Sequence, residues 1–346
     1  MRQRELARAR LLSQGLVGGG WTSPKDAVAA FGLMQGQEHT VFSSVALRAA
    51  GGIDAVRAGL DAGDLVRAYP MRGTVFLGLA RDMRWMTQLM AKPGRAQAAA
   101  RAAQAGVSPQ ALDTIRERVL HDGPLTNAQL KTLIAEVAPD APAAAVYRTR
   151  YALLVSGDFV YAGRDQRLAP APPAPGLEEA FNGERQAAVD EVVRRYVDTH
   201  GPVSEADVRW WSKLPAREVR AALAALHSHG DFDVVDGTYM RAGLIDYLAA
   251  TPPSAFRTPL LLPAFDEYIL GYQDRLFAMT EDVHTHLAPS NMGVFRKAVV
   301  VDGLVRGTWK GAGGRLELED VGGIPKYADA GIRRAFGLFP FHTETL

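Results

Sequence analysis

The sequence predicts an α+β fold: three tandem winged-helix units followed by a small C-terminal antiparallel β-domain. Three observations predict it. A pattern of three helices closed by a short hairpin recurs along the 346-residue chain. Two proline-rich stretches, APAPPAPG at 169–176 and ATPPSAFRTP at 250–259, read as spacers between blocks. Residues 260–320 alternate apolar and polar side chains, as in KAVVVDGLVRGTWKG and GRLELED, which is the period of half-buried strands. Together these predict units at 1–105, 106–175 and 176–250 and a β-domain at 251–346.

In the first unit, SPKDAVAAFGLMQ, TVFSSVALRAAG and GIDAVRAGLDAG read as helices, and LVRAYPMRGTVFLGLA as a hairpin turning at Arg72-Gly73. The second unit opens with SPQALDTIRERVLH, whose Leu112, Ile115, Val119 and Leu120 share one helical face. A turn at Gly123-Pro124 follows, and Thr126 is placed to cap the next helix. A third helix covers Ala143–Ser156 and ends at Gly157, before a hairpin turning near Gly163–Arg164. The third unit repeats the plan with a helix over Leu177–His200, a Gly-Pro-x-Ser start at Gly201, and the helix PAREVRAALAALHSHG. Its hairpin turns at Asp236-Gly237. The pair Trp210-Trp211 puts one ring in the core, and PKYADAGIRRAFGLF is a closing helix.

Composition excludes several classes. With 47% apolar and 22% charged residues the chain is neither disordered nor fibrous. It has no cysteine, so disulfides, thiolate zinc sites, iron–sulfur clusters and cysteine nucleophiles are excluded together. No apolar run approaches 18 residues, and the basic opening lacks the apolar core of a leader peptide, so a soluble cytoplasmic protein is expected. The net charge is only +1, but it is unevenly spread. Residues 1–110 carry 14 Lys+Arg against 7 Asp+Glu, a net of +7, while 111–230 carry −2 and 231–346 carry −4. The cations are mostly arginine, 32 against 7 lysines, a balance that suits phosphate contacts and that a GC-rich genome would also produce. Gly18-Gly19-Gly20 lacks the Lys-Ser/Thr of a phosphate loop, and no Gly-x-Ser-x-Gly is present. His284 and His286 would share a strand face near Asp282 but lack a further ligand, so no metal and no cofactor are expected.

Two segments point to chemistry. FGLMQGQEHTVFSSVALR holds a Gln-x-Gln element, Gln35 and Gln37, with Arg48 about a helix later. LLPAFDEYILGYQDR, followed by NMGVFRKAVVVDGLVRGTW, holds a Phe-Asp…Asp-Arg pattern with strands beyond it. In this order, and inside three winged-helix units, the chain resembles the winged-helix DNA glycosylases of the AlkZ/YcaQ type over nearly its whole length. The resemblance implies a monomeric, monofunctional enzyme that needs no cofactor. Its substrate would be duplex DNA carrying alkylated purines, of the N7-alkylguanine type and including bulky adducts or interstrand cross-links. It also implies catalysis by Gln35 and Gln37, support of the active-site face by Asp266 and Arg275, and phosphate contacts by Arg48 and by the wing arginines Arg67 and Arg72.

The spacing of the two glutamines can be weighed on its own. Residues i and i+2 of a helix point roughly 200° apart and cannot share a substrate atom, whereas in extended chain they face one side. Gly36 breaks helices, so the helix from Pro24 is expected to end at the motif. Glycine also stands where the resemblance implies an apolar residue, a departure that predicts a less rigid motif. Neutral amides suit the chemistry because a purine alkylated at N7 or N3 is cationic and leaves without protonation. The enzyme then has only to place water at C1′ and stabilise an oxocarbenium-like transition state. A glutamine oxygen accepts from that water while its NH₂ holds a phosphate or sugar oxygen. No lysine is close in sequence; Lys25 precedes Gln35 by about ten residues, ~15 Å along a helix, so an intact abasic product is expected. The alternative reading is a non-catalytic winged-helix protein, either a lesion-binding paralogue or a transcriptional regulator. A regulator would dimerise on a two-fold operator.

Overall fold

Helices and antiparallel strands alternate along the chain in the computed structural model, which describes residues 1–289, 293–312 and 314–341. Asn291 and Met292, at the head of one motif segment, lie outside the described residues, as do 342–346. The chain divides into two compact units, each assembled from segments distant in sequence. A middle unit takes residues 32–36 and 57–189; a terminal unit takes 1–31, 37–56 and 190 onward. The four successive blocks expected from the sequence are therefore distributed over two units. One reason is local: Pro170 closes a strand and the Ala171 N–H donates to the Asp158 carbonyl at 2.8 Å, so the first proline-rich stretch is tied into the middle unit at its start.

The middle unit is built on a five-stranded antiparallel sheet of β1 (Leu33–Gln35), β2 (Leu65–Met71), β3 (Thr74–Leu79), β4 (Phe159–Ala162) and β5 (Arg167–Pro170), in the order β1-β3-β2-β4-β5. The β2–β3 hairpin turns at Arg72 and Gly73, both left-handed (φ 55° and 69°), the geometry a two-residue hairpin requires. The hairpins of the first two expected units pair side by side. Arg67 of β2 registers with Tyr161 of β4, so both belong to one sheet. All seven residues of β2 are buried, which is why its sequence lacks the alternation of a one-sided strand. The helices Pro109–Asp122, Asn127–Val137 and Ala144–Ser156 stand where their apolar periodicity puts them, around Ile115, Val119, Leu130, Ile134, Leu154 and Phe159. Their caps are the expected ones: Thr126 forms a capping box with Gln129, and Gly157 ends its helix at φ 88°. Helices Ala80–Met90 and Lys92–Gln104 were not foreseen.

In the terminal unit, Ser204 caps Glu205–Ser212, Ala216–Ser228 follows, and β6 (Phe232–Val235) and β7 (Thr238–Arg241) form the expected hairpin at Asp236-Gly237. Trp211 is 2% exposed and Trp210 only half-buried, as the pair predicts. The small β-domain is a four-stranded antiparallel sheet of β8 (Leu260–Leu262), β9 (Ala298–Val301), β10 (Leu304–Ala312) and β11 (Arg315–Asp320), ordered β11-β10-β9-β8. Its core gathers Leu261, Val299, Val301, Trp309, Ile332 and Phe339, the last two from the closing helix Asp329–Gly337 and just after it.

Three expectations are corrected here. The helix over 177–200 breaks into Leu177–Ala180 and Arg185–His200, because Asn182 and Gly183 adopt left-handed backbone (φ 51° and 78°). Residues 260–320 are not all strand. Asp266 caps a helical turn at Glu267–Leu270, and Thr280 caps a helix at Glu281–Leu287. His284 and His286 therefore stand two apart on a helix and cannot face one ligand. His286 instead meets Glu319 at 2.8 Å. Among the described residues no helix is long and apolar enough to cross a membrane.

Candidate active site

The helix that leads to the glutamine motif is Pro24–Phe31. It stops four residues before Gln35, because Gly32 turns left-handed (φ 71°) and Leu33 and Met34 enter β1 fully buried. Gln35 is thus extended, paired with Phe76 of β3, and is not at a helix C-terminus. It is 7% exposed, and its amide oxygen accepts from Arg72 Nη2 at 3.1 Å. The hairpin tip next to Gln35 is therefore cationic.

Gly36 is pinned on both sides: its N–H donates to the Val75 carbonyl at 2.9 Å, and its own carbonyl accepts from Arg67 Nη1 at 2.9 Å. A Cβ at this position would lie 2.8 Å from the Leu77 nitrogen and 3.0 Å from the Phe76 carbonyl carbon. The expectation of a looser motif is corrected accordingly. Glycine is present because β3 passes too close for any side chain. Arg67, expected on phosphate, is 6% exposed and is bound to Gln166 and Gly36. It fastens the motif to the sheet.

In the terminal unit, the chain after Gln37 borders a cavity of about 560 Å³. Gln37, Glu38, Thr40 and Ser43 line it from one segment; Pro263, Lys297 and Phe339 line it from others. Helix Thr40–Ala46 holds the first group in place: the Thr40 hydroxyl donates to the Ala264 carbonyl at 3.0 Å and the Ser43 hydroxyl to the Pro340 carbonyl at 2.7 Å. Lys297 precedes β9, with its amine 4.7 Å from the centre of the Trp309 ring. Burial pushes this amine below the ordinary lysine range, and the Glu38 charge opposes the shift without cancelling it.

Helix Thr40–Ala46 also contacts a fully buried ion pair through Ser44. Arg48 Nη2 meets Asp266 Oδ1 at 2.7 Å and Arg48 Nη1 meets Asp266 Oδ2 at 2.9 Å, with both side chains 0% exposed. Ser44 donates its hydroxyl to the same carboxylate, and so does the Tyr268 N–H at 2.9 Å. Burial would raise the Asp266 carboxyl. The Arg48 charge, the Arg48 and Ser44 hydrogen bonds and the Tyr268 amide outweigh it, holding the group ionised below the usual carboxylate range. Arg48 Nη2 also donates to Gln14 Oε1 at 2.6 Å. This network ties helix Thr40–Ala46, which supplies Thr40 and Ser43, to the segment that supplies Pro263.

The site residues expected from the sequence therefore fall into distinct places. Arg48 is corrected from a phosphate contact to the buried partner of Asp266, since a guanidinium without exposure reaches no backbone phosphate. Arg275 does not meet Asp266; it lies over the rings of Phe295 and Trp210, at 5.1 and 5.5 Å. Asp266 and Glu267, at 0% and 2% exposure, do not line the cavity. Gln35 belongs to the middle unit and Gln37 to the terminal unit. Sequence reasoning missed Glu38 and Lys297. The signal was present, since both stand inside the two motif segments, but nothing in a linear chain joins position 38 to position 297.

A family model described as DNA glycosylase AlkZ-like matches residues 28–339. Among solved structures, the fold is similar to that of the Streptomyces sahachiroi DNA glycosylase AlkZ, at 20% identity over 97% of each chain with a TM-score of 0.71. No curated protein matches the chain.

Proposed function

The chain belongs to the AlkZ-like DNA glycosylase family, and from that premise we propose that it excises alkylated purines, of the N7-alkylguanine type, from duplex DNA. Membership of a glycosylase family sets aside the reading as a non-catalytic regulator. The observation that carries the substrate reading is the cavity beside Gln37. At about 560 Å³ it is within the range of small-molecule sites and has room for one everted purine. Bulky adducts and interstrand cross-links belong to the same class of lesion. We read the three helix–helix–hairpin repeats as winged-helix units, and the enzyme as a cytoplasmic monomer that follows the lesion and not an operator sequence.

In the proposed reaction water, not an enzyme amine, displaces the base, which is the monofunctional mode. The cationic purine carries off the bonding electrons without a proton from the protein. Gln37 and Gln35 act through their amides, accepting from the attacking water and holding sugar or phosphate oxygens. Arg72, hydrogen-bonded to the Gln35 oxygen, fixes that amide's orientation so that its NH₂ points away from the arginine. Glu38 supplies negative charge at the cavity for the sugar cation, a part for which Asp266 and Glu267 are too deeply buried. Asp266 and Arg48 support these groups from behind. Arg275, stacked on two rings, serves the same face as a packed cation.

The test is release of 7-methylguanine from an oligonucleotide duplex, read as alkali-induced cleavage on a denaturing gel. Replacing both glutamines by alanine is expected to lower the rate by about 10²–10³ for each amide removed, with duplex affinity retained. Excision at the wild-type rate by the Gln35→Ala, Gln37→Ala enzyme would remove the motif from the mechanism.

A further inference from the structure

The terminal unit holds a second cavity, of about 520 Å³, that the proposed reaction does not use. Its wall includes Ser13 at the end of helix Gln3–Ser13, Trp21 just beyond, and Asp198 of helix Arg185–His200. Arg241 at the end of β7 and Tyr247 of helix Leu244–Ala250 complete it. We propose that this cavity binds a guanine base, read by Asp198, Arg241 and Ser13 and stacked on the aromatic wall. The proposal does not depend on the glycosylase reading.

The fold leaves three polar groups of this cavity without full partners. Ser13 is 4% exposed, and its Oγ is buried with no hydrogen bond. Arg241 is half-buried; it stacks on the Tyr247 ring at 5.3 Å, and its Nε is buried with no acceptor. Asp198 Oδ2 accepts from Arg194 Nη1 at 2.8 Å, while no hydrogen bond reaches Oδ1 among the described residues. Burial raises the Asp198 carboxyl above its ordinary range, and the Arg194 and Arg241 charges offset this only in part. Asp198 and Arg241 thus feel each other's charge without forming an ion pair. Buried polar groups in a structural role find partners within the fold, because leaving them open is costly. These groups are open on one cavity, where a ligand can supply what is missing.

The chemistry of the three groups selects the ligand. A phosphate or other simple anion would face the Asp198 carboxylate, and a simple cation would face Arg241. A neutral molecule with donors on one edge and acceptors on the next satisfies both. Guanine offers N1–H and the 2-amino group to a carboxylate, and O6 and N7 to a guanidinium. Adenine and cytosine set a ring-nitrogen lone pair beside their amino group, so that lone pair would meet the carboxylate. The cavity is within the size range of small-molecule sites. Its rings are held ready for stacking. A Cβ at Gly15 would lie 2.5 Å from the Trp21 ring, so glycine there lets the indole seat against the backbone. Trp21 also packs edge-on against Phe31 at 5.4 Å, and the Tyr247 hydroxyl donates to the Gly18 carbonyl at 2.8 Å.

Calorimetric titration of the full chain with guanosine tests the site without any base release. Saturable binding is expected, and inosine, which lacks the 2-amino group, is expected to bind about tenfold more weakly. Asp198→Asn and Arg241→Gln are each expected to weaken guanosine by about tenfold or more, in protein shown by its thermal midpoint to be folded. Lys297→Gln, in the wall of the first cavity, is expected to leave this affinity unchanged. An oligothymidine strand carrying one dG, compared with thymidine alone, separates the sources of the base. Added affinity for dG marks a base presented in a strand; none marks a free base or nucleoside. No binding of guanosine by folded wild-type protein, or equal affinity for inosine, would overturn the proposal. Guanosine affinity that survives both Asp198→Asn and Arg241→Gln, or that is lost in Lys297→Gln, would do the same.

Discussion

Arg48 keeps its charge where no water reaches it, and the cost of that burial is offset only because Asp266 receives two of its nitrogens in a planar fork. Removing the arginine strands a carboxylate in the core. Arg48→Ala is therefore expected to lower stability by about 3–5 kcal/mol in urea unfolding. An unchanged unfolding midpoint with weakened duplex binding would return Arg48 to the phosphate role first expected of it. The same pair sets an acid limit. Because the folded Asp266 carboxyl lies below its unfolded value of about 3.9, its contribution is fully present above that pH and is lost as pH falls below it toward the folded pKa. Thermal midpoints measured from pH 5 down to pH 2.5 are expected to fall more steeply for wild type than for Asp266→Asn. Equal slopes would mean that Asp266 is not held ionised.

Strand β1 has only three residues, yet it decides how the first glutamine is presented. The helix ends at Phe31, earlier than the Gly36 expected to stop it, because Gly32 turns left-handed, and Gly36 then lets the chain run flush against β3. Gly36→Val is expected to destabilise the protein by about 1–3 kcal/mol, since the neighbours it would strike are backbone atoms that cannot rotate away. A thermal melt and a base-release assay on this variant check the point; wild-type values in both would show that the close approach is unimportant. Elements with strong local signals were legible in the sequence: the capped helix after Thr126, and the left-handed hairpin tips at Arg72-Gly73 and Asp236-Gly237. What could not be read depended on distant partners. The Leu33–Gln35 strand exists because β3 offers it an edge, β2 is buried on both faces by later segments, and Lys297 reaches the cavity through the β8–β9 pairing.

Over the whole molecule, the excess of +7 in the first 110 residues survives burial of Arg48 and Arg67, because other cations there are exposed. Helix Lys92–Gln104 presents Lys92, Arg95 and Arg101 to solvent and contains no acidic residue. Changing these three to glutamine is expected to weaken binding to damaged and undamaged duplex alike, and to reduce the slope of log affinity against log salt by about 0.9 for each phosphate left without its cation. An unaltered slope would place the DNA-binding cations elsewhere. The division of the chain into interleaved segments also has a consequence for its biosynthesis. Arg48 and Asp266 are 218 residues apart, so on a ribosome adding about 5–20 residues per second the arginine emerges some ten to forty seconds before its counter-ion. The middle unit is complete once residue 189 has cleared the exit tunnel, while the opening helices, with Phe31 and Phe42 destined for the interior, still lack the segment that will cover them. Nascent chains arrested after the middle unit has cleared the tunnel and before Asp266 has emerged should accordingly resist protease across 57–189 and be cut readily within 1–31 and 37–56, and a slower elongation rate should lengthen the interval in which that apolar segment is open to chaperones or to aggregation.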